Sequence, residues 1–251
     1  MSALPQRIAV TGASGLIGSA LVGHLKSEGH TVQRLVRRLP VSPDEVQWDP
    51  TTGYVDTAAL AGVDAVIHLA GVDVVDKRWS KKYKSQILNS RLLGTEAIAK
   101  AVAEVKPQVF ISASAIGWYG ESGNRAVVES DRVGDDFLAA VCREWEAAAD
   151  IASPIRTVKL RTGVVLDPTG GALGKMLPLF RFGLGGKLGS GKQWWSWITL
   201  HDHIRAIDFI LSHKEIEGPV NLTSPNPVTN QEFTSALARA MKRPALFPAP
   251  A

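Results

Sequence analysis

Thr11-Gly12-Ala13-Ser14-Gly15-Leu16-Ile17-Gly18 is the stretch on which the fold turns. Its three glycines stand three residues apart. Before them runs the apolar segment Arg7 to Thr11; after them Leu16, Ile17, Ala20, Leu21 and Leu25 recur at helical spacing as far as Gly29. The order is therefore strand, tight turn, amphipathic helix. Without a Cβ, Gly12 can turn the chain sharply, Gly15 lets a ligand approach the backbone, and Gly18 lets helix and strand pack closely. The free N–H groups at the start of such a helix favour an anion, and this spacing is the one that takes a dinucleotide's pyrophosphate.

Outward from the turn, the same unit repeats. Thr31 to Val36 reads as a second strand, and Asp64 to Leu69 and Val109 to Ala113 have the continuous apolar character of parallel strands buried on both faces. Helices are predicted over Lys81 to Glu104 and Asp135 to Ile151, with a further strand over Arg156 to Leu160. Strands alternating with helices predict an α/β fold with a doubly wound parallel sheet, the Rossmann arrangement. After Arg161 the texture changes to a glycine-rich stretch holding Trp194, Trp195 and Trp197, followed by predicted helices over Asp202 to Ser212 and Asn230 to Met241. The expected division is a nucleotide-binding domain, 1-162, and a smaller substrate lobe, 163-251, free to exchange strands or helices with the first.

The acidic residue that holds an adenosine ribose 2′-hydroxyl should close the second strand. Gln33-Arg34-Leu35-Val36-Arg37-Arg38 stands there instead. An arginine's planar fork pairs with a 2′-phosphate, so the expected cofactor is NADP(H), with Arg37 as its reader and Gly12, Ser14, Gly15, Leu16, Ile17 and Gly18 as the contacts of the turn.

Composition narrows the rest. Apolar residues make up 45% and charged residues 21% of the 251, ordinary globular usage. The net charge of +4 is scattered; Lys77-Arg78 and Lys81-Lys82-Lys84 are too thin for a nucleic-acid footprint. Cys142 is the single cysteine, so neither an intrachain disulfide nor a cysteine-rich metal site is expected. Met1 to Gln6 lack an apolar signal core, and no apolar run reaches the roughly 20 residues of a membrane span, which leads to the expectation of a cytoplasmic protein. A small molecule is the expected partner.

Thr-Gly-x-x-Gly-x-x-Gly, His68-Leu69-Ala70-Gly71 and Ser112-Ala-Ser-Ala-Ile-Gly-Trp-Tyr-Gly120 together resemble the extended short-chain dehydrogenase/reductase superfamily. Trp145-Glu146, Arg161-Thr-Gly-Val-Val-Leu166, Gly185 to Gly191, Asn221 to Pro227 and Arg243-Pro244 narrow the resemblance to epimerase-family proteins of the nucleoside-diphosphate-sugar epimerase type. The likeness covers nearly the whole chain, and implies a C-terminal segment beyond Arg243-Pro244 longer than the one present. It also implies that Leu69, Ala70 and Gly71 run under the cofactor, that Arg91 lies near its phosphates or ribose, that Val164 borders the nicotinamide, and that the substrate is a nucleotide sugar or carbonyl compound.

The superfamily's chemistry uses a serine to orient the substrate oxygen, a tyrosine to exchange its proton and a lysine four residues later to make that tyrosine competent, an unperturbed phenol (pKa about 10) being a poor base at neutral pH. No tyrosine here has that lysine: Tyr54 is followed by Ala58, Tyr83 by Ile87 and Tyr119 by Gly123. Aligning Glu146 with the superfamily helix puts Leu138 and Cys142 in the two positions. Ser114 and Tyr119 remain as catalytic candidates. An NADP(H)-dependent oxidoreductase or epimerase-like enzyme and a non-catalytic NADPH-binding sensor are both open. His201-Asp-His203 does not form a metal pair, since residues two apart on a helix point about 200° apart. Of the tryptophans, 195 and 197 would share a face if their segment were one strand.

Overall fold

The computed structural model describes residues 5–74 and 77–248; the expectations for Met1 to Gln6 and for the end of the chain fall partly outside them. In chain order the strands are β1 (Arg7–Thr11), β2 (Thr31–Val36), β3 (Glu45–Asp49), β4 (Tyr54–Val55), β5 (Ala65–His68), β6 (Val109–Ala115), β7 (Thr157–Thr162), β8 (Val164–Asp167), β9 (Trp194–Trp195), β10 (Trp197–Thr199), β11 (Gly218–Leu222) and β12 (Val228–Thr229). The α-helices are α1 (Leu16–Ser27), α2 (Lys81–Val105), α3 (Phe137–Ala149), α4 (Gly171–Arg181), α5 (Leu200–Ser212) and α6 (Asn230–Met241).

Eight strands form one sheet in the order β11-β7-β6-β5-β1-β2-β3-β4, and every neighbouring pair is parallel except the hairpin β3–β4. Side chains alternate across this sheet, and both faces are covered. Ile8, Val10, Ile67, Ile111 and Leu160 pack with Leu21 and Leu25 of α1 and Ile207 of α5. Ala9, Val66 and Phe110, one residue out of phase, pack with Ile98 and Val102 of α2 and Ala149 of α3. That double burial explains the apolar runs. The chain moves from β1 outward to β2 and later returns to β5 on β1's other side, so the strand order reverses at β1. In open α/β sheets the crevice at such a reversal is where ligands bind.

Several elements had no counterpart in the sequence expectations: β3, β4, β8, α4 and β11. β11 includes Pro219, which cannot donate to a sheet ladder but is tolerated at an edge, the position it occupies beside Lys159. Residues 163–248 do not all lie in one separate layer. α5 packs into the core beneath α1, and β11 extends the main sheet. The remaining part, with β8 pairing β10 and β12 pairing β9, forms the wall over the carboxyl ends of β6 and β7. Among the described residues no helix is long and apolar enough to cross a membrane.

Candidate functional site

Two clefts open at the carboxyl ends of the central strands. The first, of about 630 Å³, lies between the glycine turn, the end of β2 and the segment after β5. Gly12, Ser14 and Gly15 line it, as do Leu69, Ala70 and Gly71. Gly12 has φ +67, and a Cβ there would stand 2.8 Å from the Leu69 carbonyl carbon; one on Gly18 would stand 2.1 Å from the Gly12 carbonyl oxygen. Both glycines are thus demanded by the fold. Gly15 is different: its φ is −78 and a Cβ would meet only the Gly12 oxygen, at an ordinary 3.4 Å. No side chain caps α1, and its first turn has no acidic residue. An uncapped helix start facing a cleft is a place for an anion. Leu16 and Ile17 contribute differently, since Leu16 packs against the Gly170–Gly171 turn and Ile17 against the core.

Three arginines border this cleft, and two are occupied. Arg38 donates two hydrogen bonds to Glu45, at 2.7 and 2.6 Å, and Arg34 pairs with Asp44 at 3.2 Å and Glu45 at 3.1 Å. The hydrogen bonds from Arg38, and secondly from the Val41 N–H, bring the Glu45 carboxyl down to about 2. Arg37 is exposed at the rim and has no hydrogen bond or ion pair within the described residues.

Thr11 and His68 shape the floor, and neither was among the candidates. The Leu69 and Ala70 N–H groups donate to Thr11 Oγ1 at 3.1 and 3.2 Å, and that hydroxyl is 2.7 Å from His68 Nδ1. The Thr11 proton is left to point at Nδ1, which fixes the proton of a neutral imidazole on Nε2. Burial lowers the His68 pKa to about 3, consistent with that neutral ring. A histidine inside an otherwise apolar strand was the available signal. Arg91 does not line the cleft; it donates to the Val72 and Ile87 carbonyls at 3.0 and 3.2 Å and lies over the Trp145 ring, propping the 69–72 segment from behind. Val164 opens β8, its N–H donating to the Ser196 carbonyl.

The second cleft, of about 450 Å³, lies beyond β6, between the 120–127 segment and the wall carrying Trp194 and Asn221. Tyr119 belongs to its floor, held in a buried chain of hydrogen bonds. Ser114 Oγ donates to Glu146 Oε1 at 2.6 Å; Arg161 donates to both oxygens of Glu146, at 2.9 and 3.0 Å, and to the Tyr119 oxygen at 3.1 Å; Tyr119 in turn donates to Asn221 Oδ1 at 2.7 Å. The Arg161 guanidinium also stacks over Trp118, 4.0 Å from the ring centre. Ser114 and Tyr119 are therefore brought into one network, but through Glu146 and Arg161 rather than by direct contact, and the Ser114 hydroxyl is committed to a carboxylate.

Leu138 and Cys142 face the turn after β6: a Cβ on Gly117 would meet them at 3.3 and 3.5 Å. Burial, then the nearby Glu146 charge, pushes the Cys142 thiol up to about 12, which removes it as a nucleophile. His203 is buried, 3.1 Å from Thr162 Oγ1, and desolvation lowers its pKa to about 4, while His201 is exposed; no group able to hold a metal forms among the described residues. The tryptophans do not form one strand. β9 and β10 pair with different partners on either side of Ser196, so Trp195 packs on Phe233 and Trp197 bonds the Asn226 carbonyl, while Trp194 borders the cleft with its indole N–H donating to Asn124 Oδ1 at 2.8 Å.

Residues 8–138 match the NAD dependent epimerase/dehydratase family. An epimerase family protein of Mycobacterium bovis is 48% identical over 239 residues, covering 94% of this chain and 79% of its own length. Epimerase family protein SDR39U1 of Bos taurus is 38% identical, covering 97% and 83%. Among solved structures, the human SDR39U1 protein with NADPH superposes at a TM-score of 0.88 with 34% identity over 97% of this chain and 83% of that one. A nucleoside-diphosphate sugar epimerase of Corynebacterium glutamicum gives 0.81 with 38% identity over 98% and 53%. With this likeness running from the glycine turn to the last helix, the chain belongs to the NAD dependent epimerase/dehydratase family.

Proposed function

We propose that the protein binds NADP(H) in the first cleft and is an NADP(H)-dependent oxidoreductase or epimerase-like enzyme acting on a small molecule held in the second. The observation that carries this is the pairing, across one cleft, of an uncapped helix start with an arginine that the fold has left unspent. The diphosphate would rest on the N–H groups of the turn from Gly12 to Gly15, close to the backbone because Gly15 has no side chain. Arg37 would take the 2′-phosphate; Arg34 and Arg38, already satisfied by Asp44 and Glu45, would hold the loop beside it. Leu69, Ala70 and Gly71 would run beneath, kept in place by Thr11 and His68 on one side and Arg91 on the other. When bound, the cofactor supplies the two-electron redox chemistry at its nicotinamide; the chain supplies orientation. A human relative solved with NADPH supports the choice of cofactor.

Affinity measurements on NADPH and NADH test it. NADPH should bind at least tenfold more tightly, and Arg37→Ala should weaken NADPH by tenfold or more, roughly the value of a charge-assisted hydrogen bond, and leave NADH unchanged. Equal affinities in the parent protein would overturn the assignment.

A non-catalytic NADPH sensor is the second reading. On the resemblance to the superfamily, Leu138 and Cys142 would stand where a tyrosine and lysine serve it, and Ser114 donates to Glu146. NADPH oxidation with a carbonyl or sugar-nucleotide pool, lost in Tyr119→Phe, supports the enzyme. Cofactor binding with a conformational response and no turnover across the pool supports the sensor.

A further inference from the structure

The two clefts differ in charge. The first is lined by three arginines, two of them paired with Asp44 and Glu45, against one acid, Asp73, and has an uncapped helix start. The second has among its described lining residues one lysine, Lys192, and one acid, Glu121, both exposed, so that its formal charge is zero. The nearest built-in cation beneath it is Arg161, which is 2% exposed and neutralised by Glu146 through two hydrogen bonds. Polar groups remain open on its walls. The Ser122 and Ser196 hydroxyls and the Asn124 and Asn221 amide nitrogens form no hydrogen bond within the described residues, although Oδ1 of each asparagine is used, by Trp194 and Tyr119. Trp194 adds an indole that is 46% exposed and oriented by its bond to Asn124.

Such a surface does not suit a nucleoside diphosphate. Two phosphates taken from water need fixed cations or converging N–H groups, as in the first cleft; a single lysine on a flexible stem, opposed by a glutamate, offers neither. Hydroxyls and carbonyls, by contrast, are matched by neutral amide and hydroxyl groups, and the non-polar face of a sugar ring by an indole. We infer that the second cleft takes an uncharged polyhydroxyl or carbonyl compound, stacked on Trp194 and hydrogen-bonded by Asn124 and Asn221, and not a nucleotide sugar. The inference rests on the reading of this cleft as the substrate site, and it departs from the substrate named for the Corynebacterium glutamicum relative.

The test uses the full chain saturated with NADPH, so that nucleotides cannot enter the first cleft, and follows ligand saturation-transfer NMR signals together with tryptophan fluorescence. The probes are a panel of free hexoses, pentoses, their lactones and polyols, set against UDP-glucose, dTDP-glucose and UDP. At least one neutral compound should bind saturably, with affinity reduced fivefold or more by Trp194→Ala and by Asn221→Ala and changed less than threefold by Lys192→Ala. UDP and both nucleotide sugars should bind no more tightly than that compound. A nucleotide sugar binding tenfold more tightly than every neutral probe overturns the inference, as does a panel with no neutral binder. Failure of NADPH to bind is seen separately in the loading step and removes the cofactor assignment; the panel is then repeated on the unloaded chain, and only binding that Trp194→Ala weakens is counted as binding in the second cleft and read by the same criteria.

Discussion

Behind each cleft stands an arginine holding a glutamate with two hydrogen bonds, and the two pairs are built for opposite purposes. In the rim of the first, Arg38 is 54% exposed at the side chain while Glu45 is 1% exposed; in the floor of the second, Arg161 and Glu146 are 3% and 5% exposed. The rim pair sits in water on one side, and its main consequence is positional: it fastens the β2–β3 loop and absorbs Arg38, while Arg37 stays unpaired among the described residues. The floor pair is sealed. A buried pair is not strong evidence of net stability against a well-packed apolar substitute, but each member becomes costly once its partner is gone. The difference teaches that an exposed ion pair can fasten a loop and leave a neighbouring arginine unpaired, whereas a sealed one cancels a charge beneath a pocket.

The largest effect should therefore come from Arg161→Ala. It strands Glu146 in the core with only Ser114 for a partner, and removes the donor that holds Tyr119. A loss of about 3–5 kcal/mol in denaturant unfolding is expected. Arg161→Met combined with Glu146→Leu should restore a good part of it. A double variant no more stable than the single one would show that the network's hydrogen bonds to Tyr119 and Glu129, not the buried charge, carry the effect.

Next in size is an acid sensitivity lodged in both regions. His68 lies under the first cleft with its pKa lowered to about 3, and His203 beside β7 with its pKa lowered to about 4, both by burial. Unfolded histidine titrates near 6.5, so the unfolded chain binds protons that the folded chain refuses once the pH drops below that value. The stabilisation is fully present above about pH 6.5 and is lost as pH falls towards 4 and 3, by about 2 kcal/mol for each histidine at pH 5. Urea midpoints at pH 7 and pH 5 measure it, and His203→Gln should shrink the difference. Midpoints that coincide would mean that neither ring resists protonation in the folded protein, and a difference of half the expected size that only one of them does.

Gly15→Ala comes third and separates ligand from scaffold. With φ −78 and only a 3.4 Å contact to meet, an alanine should leave stability within about 0.5 kcal/mol, yet its methyl group would stand where the diphosphate approaches the backbone. NADPH affinity should fall tenfold or more. Gly18→Ala offers the contrast, since its 2.1 Å clash with the Gly12 carbonyl attacks the turn itself, and unfolding as well as binding should suffer.

How far these features could be read from the sequence follows from how local their causes are. The glycine turn, β2 and α6 were legible because short-range periodicity and spacing specify them. Arg37 was legible by its place at the end of β2, although nothing local shows that Arg34 and Arg38 are spent on residues seven to eleven positions further on. β3 was obscured because Glu45 is polar yet buried, a choice sensible only with Arg38 opposite it. The network of the second cleft was the least legible: Tyr119 and Asn221 are 102 residues apart, and Ser114 and Glu146 are 32 apart. Trp194 emerged over Trp195 and Trp197 because strand pairing breaks at Ser196, which no alternation pattern announces.

The smallest effect belongs to the rim pair. Arg38→Ala removes one of two arginines from Glu45 and leaves Arg34 in contact at 3.1 Å, so the urea midpoint should barely move. Its effect on binding decides what the pair is for. If Glu45 serves to fasten Arg38 and so leave Arg37 as the single available reader, then Glu45→Gln, which removes the carboxylate held by Arg38 while Arg34 keeps Asp44, should raise NADPH affinity modestly, two- to fivefold, and steepen its fall with added salt, because an extra cation near a phosphate increases the screened attraction. A Glu45→Gln protein with lower NADPH affinity would mean that the fastened loop, and not the spare charge, is what the first cleft needs from this pair.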